Sequence, residues 1–267
     1  MLYPVAGRGG AVLLAGARAN PRGLSQHDTG PHMSEHTNKQ FDADLEAIRT
    51  LFLSMGGVVE AMVSLSMLVL AEGREDQVER VRAREREVNR LEVEIDERIG
   101  LLIARQQPAA IDLRLLLSVS KMLTDMERCG DEAKKIAKTA RRLHESTAQP
   151  DPLEGMDRMA SRVTGMLRDV LDAFARQDTP KASSVLWADE DVDQDWKACR
   201  RNAIEGMAAL RDPAAIAGVF ELVFIARSLE RIGDHAKNMA EQVIYLVHGA
   251  DVRHTGLENA ARLVRGE

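Results

Sequence analysis

One eight-residue motif occurs twice in the chain. Residues 127–134 read Glu-Arg-Cys-Gly-Asp-Glu-Ala-Lys, and residues 230–237, which lie 103 positions later, read Glu-Arg-Ile-Gly-Asp-His-Ala-Lys. Six of the eight positions match, and the apolar residues around both copies recur at the same spacing of three and four. This spacing is typical of one face of a helix. The repetition predicts that the chain contains two copies of one helical unit.

Each half of the sequence contains three helical segments that are separated by glycine or proline. Gln149-Pro150-Asp151-Pro152 lies between the halves as a linker. The predicted helices cover about residues 45–73, 75–107, 110–145, 154–177, 179–210 and 214–248. Aromatic residues make up only 3% of the chain, whereas Ala, Leu, Met, Glu and Arg are abundant, and this mixture also favours helices over sheets. The predicted fold is all-α, with two tandem antiparallel three-helix bundles in series.

The domain boundaries follow from this pattern. We expect the first repeat at residues 36–148, the second at 153–249, and a flexible tail at 250–267. Residues 1–35 are predicted to be a disordered or non-native extension, because residues 1–32 contain six of the 19 glycines and three of the eight prolines. The apolar stretch in this region could be a weak secretory signal. Alternatively Met33 is the native start, which is the interpretation we favour.

Charge and cysteine content narrow the class of protein. The net charge is −6 with a pI near 5.7, and no basic patch stands out, so nucleic-acid binding is not predicted. The longest uncharged apolar run after the extension, Ala61–Ala71, is shorter than the roughly 20 residues that cross a membrane, which predicts a soluble protein. Cys129 and Cys199 form no metal or disulfide pattern and are predicted to be core residues.

Paired acidic residues are the candidate functional groups. Glu127 and Asp131 lie four residues apart on one helix, and Glu230 and Asp234 repeat the arrangement. Like charges at this spacing cost an isolated helix about 0.2–0.5 kcal/mol, so a pair in both halves indicates a cation nearby. That cation is either a metal ion or a basic side chain, for which the candidates are Arg128, Lys134, Arg231 and Lys237.

A second acidic set lies on the preceding helix of each half. Glu85 and Asp189 interrupt the apolar face, with Asn89 and Asp193 four residues further on. If this helix lies beside the third helix, four oxygen-bearing side chains converge in each repeat, an arrangement suited to a hard cation, iron or manganese. His235 is either an exposed helix residue or an additional ligand.

No catalytic motif accompanies these acids. The sequence contains no Gly-x-Ser-x-Gly, no phosphate-binding loop and no His-Glu-x-x-His, and it has no Glu-x-x-His of the kind found in ferritin-like di-iron bundles. We therefore predict that the protein is not an enzyme.

The segment Glu-Arg-Ile-Gly-Asp-His-Ala-Lys-Asn at 230–238 closely resembles the PhoU family of phosphate-transport regulators, as does Glu-Arg-Cys-Gly-Asp at 127–131. Three other segments are similar to that family's opening helix and first repeat: 41–49, 55–60, and 105–108 with 112–114. The likeness covers about residues 36–254. It implies the tandem three-helix fold and, in some family members, a cation cluster of iron, zinc, manganese or magnesium. The ligands carried over are Glu127, Asp131, Asp189, Asp193, Glu230 and Asp234, whereas Glu85 and Asn89 depart from the acidic pattern and imply a weaker site.

The resemblance also implies a function. It indicates a cytoplasmic accessory protein, expected to be a homodimer, that reaches the membrane through its partners. These are the ATPase subunit of the high-affinity phosphate ABC importer and the sensor histidine kinase of the phosphate two-component system. The protein would act as a negative regulator of the phosphate-starvation genes when phosphate is plentiful. Two alternatives remain: a purely structural helical scaffold, and a metal-binding scaffold or metal buffer without a signalling partner.

Overall fold

The structure is a computed structural model that describes residues 32–147, 150–253 and 255–266, with side chains from Lys39 onward. The chain divides into residues 1–38 and a compact unit of residues 39–267. Residues 1–31 of the predicted extension lie outside the described residues. Residues 32–35, which were assigned to that extension, belong instead to the first helix.

All six predicted helices are present, and every regular element in the described ranges is helical. The all-α fold class is therefore confirmed. The six helices are α1 His32–Glu72, α2 Glu75–Gln106, α3 Ala110–Glu145, α4 Met156–Arg176, α5 Thr179–Ala209 and α6 Pro213–His248.

The helix ends follow from local chemistry. Gly73 and Gly249 take positive φ angles of 67° and 71°, a conformation that costs glycine little and ends α1 and α6. At the other ends, the Asp178 carboxylate accepts a hydrogen bond from the Lys181 amide at 2.9 Å and caps α5. The Asp212 carboxylate accepts one from Ala214 at 3.0 Å and caps α6. These residues explain why the predicted boundaries beside them agree with the observed ones, whereas α1 begins at His32, well before the predicted start at about residue 45.

The predicted apolar stripes form the core. Met126 on α3 and Leu229 on α6 are fully buried, and both cysteines are buried as small core residues. The buried apolar side chains of both repeats belong to one contiguous cluster. The two predicted three-helix repeats therefore share one core.

The repeats lie side by side because α3 packs antiparallel against α6. Cys129 lies opposite its own equivalent, with the Sγ atom 3.9 Å from the Ile232 carbonyl oxygen. Arg142 pairs with Glu221 at 2.8 Å, so residue numbers fall along α6 as they rise along α3. This geometry defines an approximate twofold axis between Cys129 and Ile232 that exchanges the two repeats. Sequence periodicity identifies an apolar stripe but does not show which helix covers it.

The outer helices of the repeats also meet. The rings of Phe52 on α1 and Phe174 on α4 form an edge-to-face pair with centroids 5.2 Å apart. Arg49 donates a hydrogen bond to the Ala175 carbonyl oxygen at 3.1 Å. These contacts join the repeats at a second place.

Helix α1 is more apolar than the uncharged run of residues 61–71 alone suggests. Glu60 is the only charged residue between Leu51 and Ala71. Residues 39–72 accordingly contain an 18-residue window of mean hydropathy 1.8, which by length and composition alone could cross a membrane. Half of that window is buried inside the protein, as expected for a core helix of a bundle.

Residues 250–267 were predicted to be a flexible tail, but they contain a seventh helix, α7 Leu257–Arg265. This helix packs against α5 and α6. Ala260 is buried, and Leu257, Leu263 and Val264 contact the core. The segment was overlooked because nine residues are too few for a clear helical period.

Candidate functional site

The acidic residues of the second repeat lie where α5 packs against α6. We call Asp189, Asp193, Glu230 and Asp234 the second-repeat cluster. Asp189 is only 4% exposed, and its carboxylate accepts a hydrogen bond from Lys237 Nζ at 2.7 Å. Lys197 Nζ lies 4.0 Å from Asp193 on the outer side. Lysine thus provides part of the positive charge that the acidic pattern requires.

Glu230 is the most perturbed carboxyl group of this cluster. One of its oxygens pairs with Arg227, whereas Oε2 is buried and has no hydrogen-bond partner. Burial raises the pKa of Glu230 to about 7, and repulsion from Asp234 acts in the same direction. Burial also raises the pKa of Asp234, with Asp189 adding repulsion. The cluster therefore holds more negative charge than its basic neighbours compensate.

In the first repeat a single lysine contacts two of the acidic residues. We call Glu85, Asn89, Glu127 and Asp131 the first-repeat cluster. Lys134 Nζ lies 2.8 Å from Glu85 and 3.9 Å from Asp131, and the Asn89 amide donates to Glu85 at 3.1 Å. The hydrogen bond from Lys134 lowers the pKa of Glu85. Lysine and amide groups occupy this site in the way that the basic-side-chain interpretation predicts.

Glu92 belongs beside the first-repeat cluster and was missed from the sequence. Its pKa is raised by burial and by repulsion from Asp96 and Asp131. The pKa of Glu127 is raised by burial, by repulsion from Asp131 and, to a smaller extent, by Glu92. Glu92 lies seven residues after Glu85, which is two helical turns along the same face. That spacing is the signal that could have found it.

The structure thus brings the predicted residues of each repeat together between its second and third helices. However, no three acidic, histidine or cysteine side chains among the described residues are already arranged to hold a metal ion. Asp189 and Glu230 are turned toward Lys237 and Arg227 instead. The oxygen donors suit a hard cation, but a metal would have to compete with these basic side chains.

His235 is neither exposed nor directed at the acidic clusters. It is 8% exposed, and Nδ1 lies 2.9 Å from Asp125 Oδ1 on α3. Asn238 also donates to this oxygen at 3.3 Å. The expectation of an exposed helix residue is wrong, because the neighbouring repeat covers this face of α6. His235 contributes to the contact between the repeats.

A second polar contact crosses the same interface. Glu132 is 2% exposed, and its Oε1 lies 2.9 Å from Arg231 Nη1 and 2.9 Å from Lys135 Nζ. Sequence reasoning missed the pairing of Glu132 with Arg231 because these two residues lie far apart in the chain. It shows that Arg231, one of the candidate partners for the acidic pairs, serves the interface between the repeats.

The raised pKa of Glu230 makes stability depend on pH. The folded protein holds this proton up to a pH of about 7, whereas an ordinary glutamate releases it near 4.5. The resulting stabilisation is therefore complete below pH 4.5 and is lost as the pH rises to about 7. We expect the melting temperature of the metal-free protein to fall between about pH 5 and about pH 7.5, and to fall less in Glu230→Gln.

The matched control for this measurement is Glu205→Gln, at an exposed position of α5. It should keep the pH dependence of the unmodified protein. An identical pH dependence in Glu230→Gln and the unmodified protein would contradict the assignment.

The fold and the clusters together define a class of protein. Two three-helix repeats share one core, and each carries acidic residues between its second and third helices. A family model described as the PhoU domain matches residues 52–140 and again residues 156–243, one match for each repeat. The chain belongs to the PhoU family.

Relatives match over nearly their whole length. The phosphate-specific transport system accessory protein PhoU homolog of Pseudomonas aeruginosa is 43% identical over 225 residues, which is 84% of this chain and 92% of the relative. The phosphate-specific transport system accessory protein PhoU of Escherichia coli K12 is 38% identical over 237 residues, 88% of this chain and 97% of the relative.

Solved structures agree with the fold. The crystal structure of PhoU from Pseudomonas aeruginosa has a TM-score of 0.75 at 42% identity, covering 79% of this chain and 100% of that chain. The phosphate transport system regulatory protein PhoU from Streptococcus pneumoniae has a TM-score of 0.72 at 27% identity and covers 79% and 99%. The relatives are named accessory or regulatory proteins, in agreement with the prediction that this chain is not an enzyme.

Proposed function

We propose that this chain regulates phosphate uptake as an accessory protein of a phosphate-specific transport system. The observation that carries the proposal is the extent of the similarity. Proteins named for that role match this chain along 97% of the Escherichia coli relative and 92% of the Pseudomonas aeruginosa relative. Both repeats are included, so the likeness covers the complete tandem fold.

In detail, we propose a cytoplasmic protein that acts between the ATPase subunit of the phosphate importer and the sensor histidine kinase. It keeps phosphate-starvation genes repressed when phosphate is plentiful, and it is a homodimer that reaches the membrane through these partners. An exposed aromatic pair on α6 supports a role in protein contacts. Phe220 and Phe224 are each 52% exposed, with ring centroids 4.8 Å apart. Aromatic residues are enriched where proteins meet.

A reporter of a phosphate-starvation promoter tests this function. Deleting the gene should derepress the reporter in phosphate-rich medium, and the unmodified gene should restore repression. Phe220→Ser with Phe224→Ser should restore it poorly if α6 contacts a partner. Val93→Ser with Leu101→Ser is the matched control, because these residues of α2 are similarly exposed. Unchanged repression in the deletion strain would refute the proposed function.

A second candidate function is cation binding at the second-repeat cluster. It is favoured by Glu230 Oε2, a buried carboxylate oxygen without a partner. Such an atom is costly to leave unpaired, and a divalent cation would satisfy it. The ligands would be Asp189, Asp193, Glu230 and Asp234, with iron, manganese, magnesium or zinc as candidates. The cation would supply positive charge that Lys237 and Arg227 provide only in part.

Elemental analysis tests cation binding. Protein reconstituted with iron, manganese, magnesium and zinc in turn should retain one of them, and Asp234→Ala should lose most of it. Glu190→Ala is the control, since Glu190 is an exposed acid on α5 outside the cluster. We expect chelation to leave the helical circular dichroism intact, because the apolar core lies beside the acids. Wild-type protein that stays empty with all four metals would contradict cation binding.

A further inference from the structure

A basic cavity lies where α3 meets α6. Its volume is about 430 Å³. Lys121 and Arg128 line it from α3, Asn238 and Gln242 line it from α6, and Arg253 lines it from the segment after α6. Three cationic side chains thus converge on one cavity in a protein whose net charge is −6. This cavity is distinct from the two acidic clusters and is not used by the proposed function.

The approximate twofold axis explains why Arg128 has no acidic partner across the interface. Across the axis, Glu132 pairs with Arg231 at 2.9 Å. The equivalent of Arg231 is Arg128, and the equivalent of Glu132 is His235, so the twofold places a histidine where Arg128 would need a carboxylate. Arg128 accordingly forms no hydrogen bond or ion pair with any residue that the structure describes. The difference between the repeats at this single position leaves Arg128 without the carboxylate partner that Arg231 has.

The remaining charged groups of the cavity provide no ion-pair partner for Arg128. Lys121 has its Nζ 5.6 Å from the Tyr245 ring centroid and forms no ion pair within the described ranges. Asp125 is the one acid that lines the cavity, and its Oδ1 is already engaged by His235 at 2.9 Å. Arg253 pairs with Asp251, and both of these side chains are about half exposed. Lys121 and Arg128 therefore have no direct ion-pair partner among the described residues, and only longer-range attraction links them to Asp251 and Glu127.

A buried amide points to a ligand in the same cavity. Gln242 is only 5% exposed, and its Oε1 is buried without a hydrogen-bond partner. The two ends of a glutamine amide exchange by a half-turn about one bond, which would bring the NH2 group to this position. An anion in the cavity would accept that hydrogen bond, so the unpaired amide and the two cations without an ion-pair partner favour the same kind of ligand.

We propose that this cavity binds a phosphate-type oxyanion, either free phosphate or the phosphoryl group of a small phosphate ester. Arg128 donates through its planar guanidinium, Lys121 supplies a second charge, and Gln242 donates from the buried wall. Donors from several directions match a tetrahedral anion, and guanidinium groups bind phosphate oxygens in pairs. The inference rests on these residues alone, so its test can fail while the proposed regulatory function stands.

Isothermal titration of the full chain with inorganic phosphate, in chloride buffer at physiological ionic strength, tests the proposal. We expect saturable binding that Arg128→Gln weakens by about tenfold or more, as losing a charge-assisted hydrogen bond would. Gln242→Leu should weaken it similarly, with folding checked by circular dichroism. Lys138→Gln is the matched control, because it removes one exposed charge elsewhere on α3 and should leave affinity within about twofold.

Titrations with glycerol phosphate and with sulfate identify the ligand. Tighter binding of inorganic phosphate assigns the cavity to the free ion, whereas tighter binding of the ester assigns it to the phosphoryl group of a larger molecule. Sulfate measures the selectivity for phosphate. The proposal is overturned if neither phosphate compound binds at millimolar concentration. It is equally overturned if Arg128→Gln and Gln242→Leu bind as tightly as Lys138→Gln.

Discussion

A Leu229→Asp variant is expected to be largely unfolded at room temperature. Leu229 is fully buried in the core that both repeats share, next to Glu230 on α6. An aspartate at this position would place an unpaired charge among apolar side chains, which costs several kcal/mol even after relaxation. It would also remove the apolar contacts of the leucine, worth about 2–5 kcal/mol. Together these losses approach the whole stability of a typical domain, roughly 5–15 kcal/mol.

Circular dichroism and protease sensitivity would measure this effect. Ala217→Asp is the control, since it adds the same charge at an exposed position of α6 and should remain folded. In the deletion strain, Leu229→Asp should behave like the missing gene. A cooperative thermal transition close to that of the wild-type protein would show that Leu229 is not part of a tightly packed core.

Arg231→Met is expected to cost about 1.5–3 kcal/mol of stability, as expected for losing a hydrogen bond to a buried charged group. Glu132 is 2% exposed and would retain only Lys135 as a partner. For a domain of this size, about 2 kcal/mol corresponds to a fall in melting temperature of roughly 4–8 °C. Adding Glu132→Leu to Arg231→Met should recover much of the loss, because an apolar pair leaves no buried charge unpaired.

The matched control is Arg90→Met. Arg90 pairs with Glu94 at 2.8 Å on the surface of α2, where both side chains are accessible to water. Exposed pairs of this kind contribute about 0–1 kcal/mol. Equal melting temperatures for Arg231→Met and Arg90→Met would show that the Glu132 contact does not hold the repeats together.

Helix positions and the core were largely predictable from the sequence. Proline and glycine residues such as Pro213 and Gly73 act through their own backbone, so their effect on helix ends depends little on the rest of the fold. The apolar stripes were predictable for a similar reason, because one face of each helix must be buried. The convergence of acids within each repeat required one further assumption, that the second and third helices are neighbours.

The interface between the repeats was not predictable in this way. Glu132 and His235 have polar side chains, and their burial depends on α3 packing against α6. This packing does not alter the spacing of apolar residues within either helix, so the sequence does not reveal it. Gln242 is also polar, so the sequence predicts a surface residue, but in the structure it is buried. The basic partners of the acids could be named as candidates, but the choice of Lys134 and Lys237 over Arg231 required three-dimensional geometry.

The antiparallel contact of α3 with α6 also bears on why the two repeats are covalently joined. Two separate copies of one repeat would meet about a true twofold axis, and every substitution at their contact would then appear on both sides at once. Such an assembly could carry two Glu–Arg bridges or none, but not a single one. Joining the copies in one polypeptide releases each side to change alone. Glu132 then pairs with Arg231 on one side of the contact, whereas His235 on the other side leaves Arg128 without a carboxylate partner.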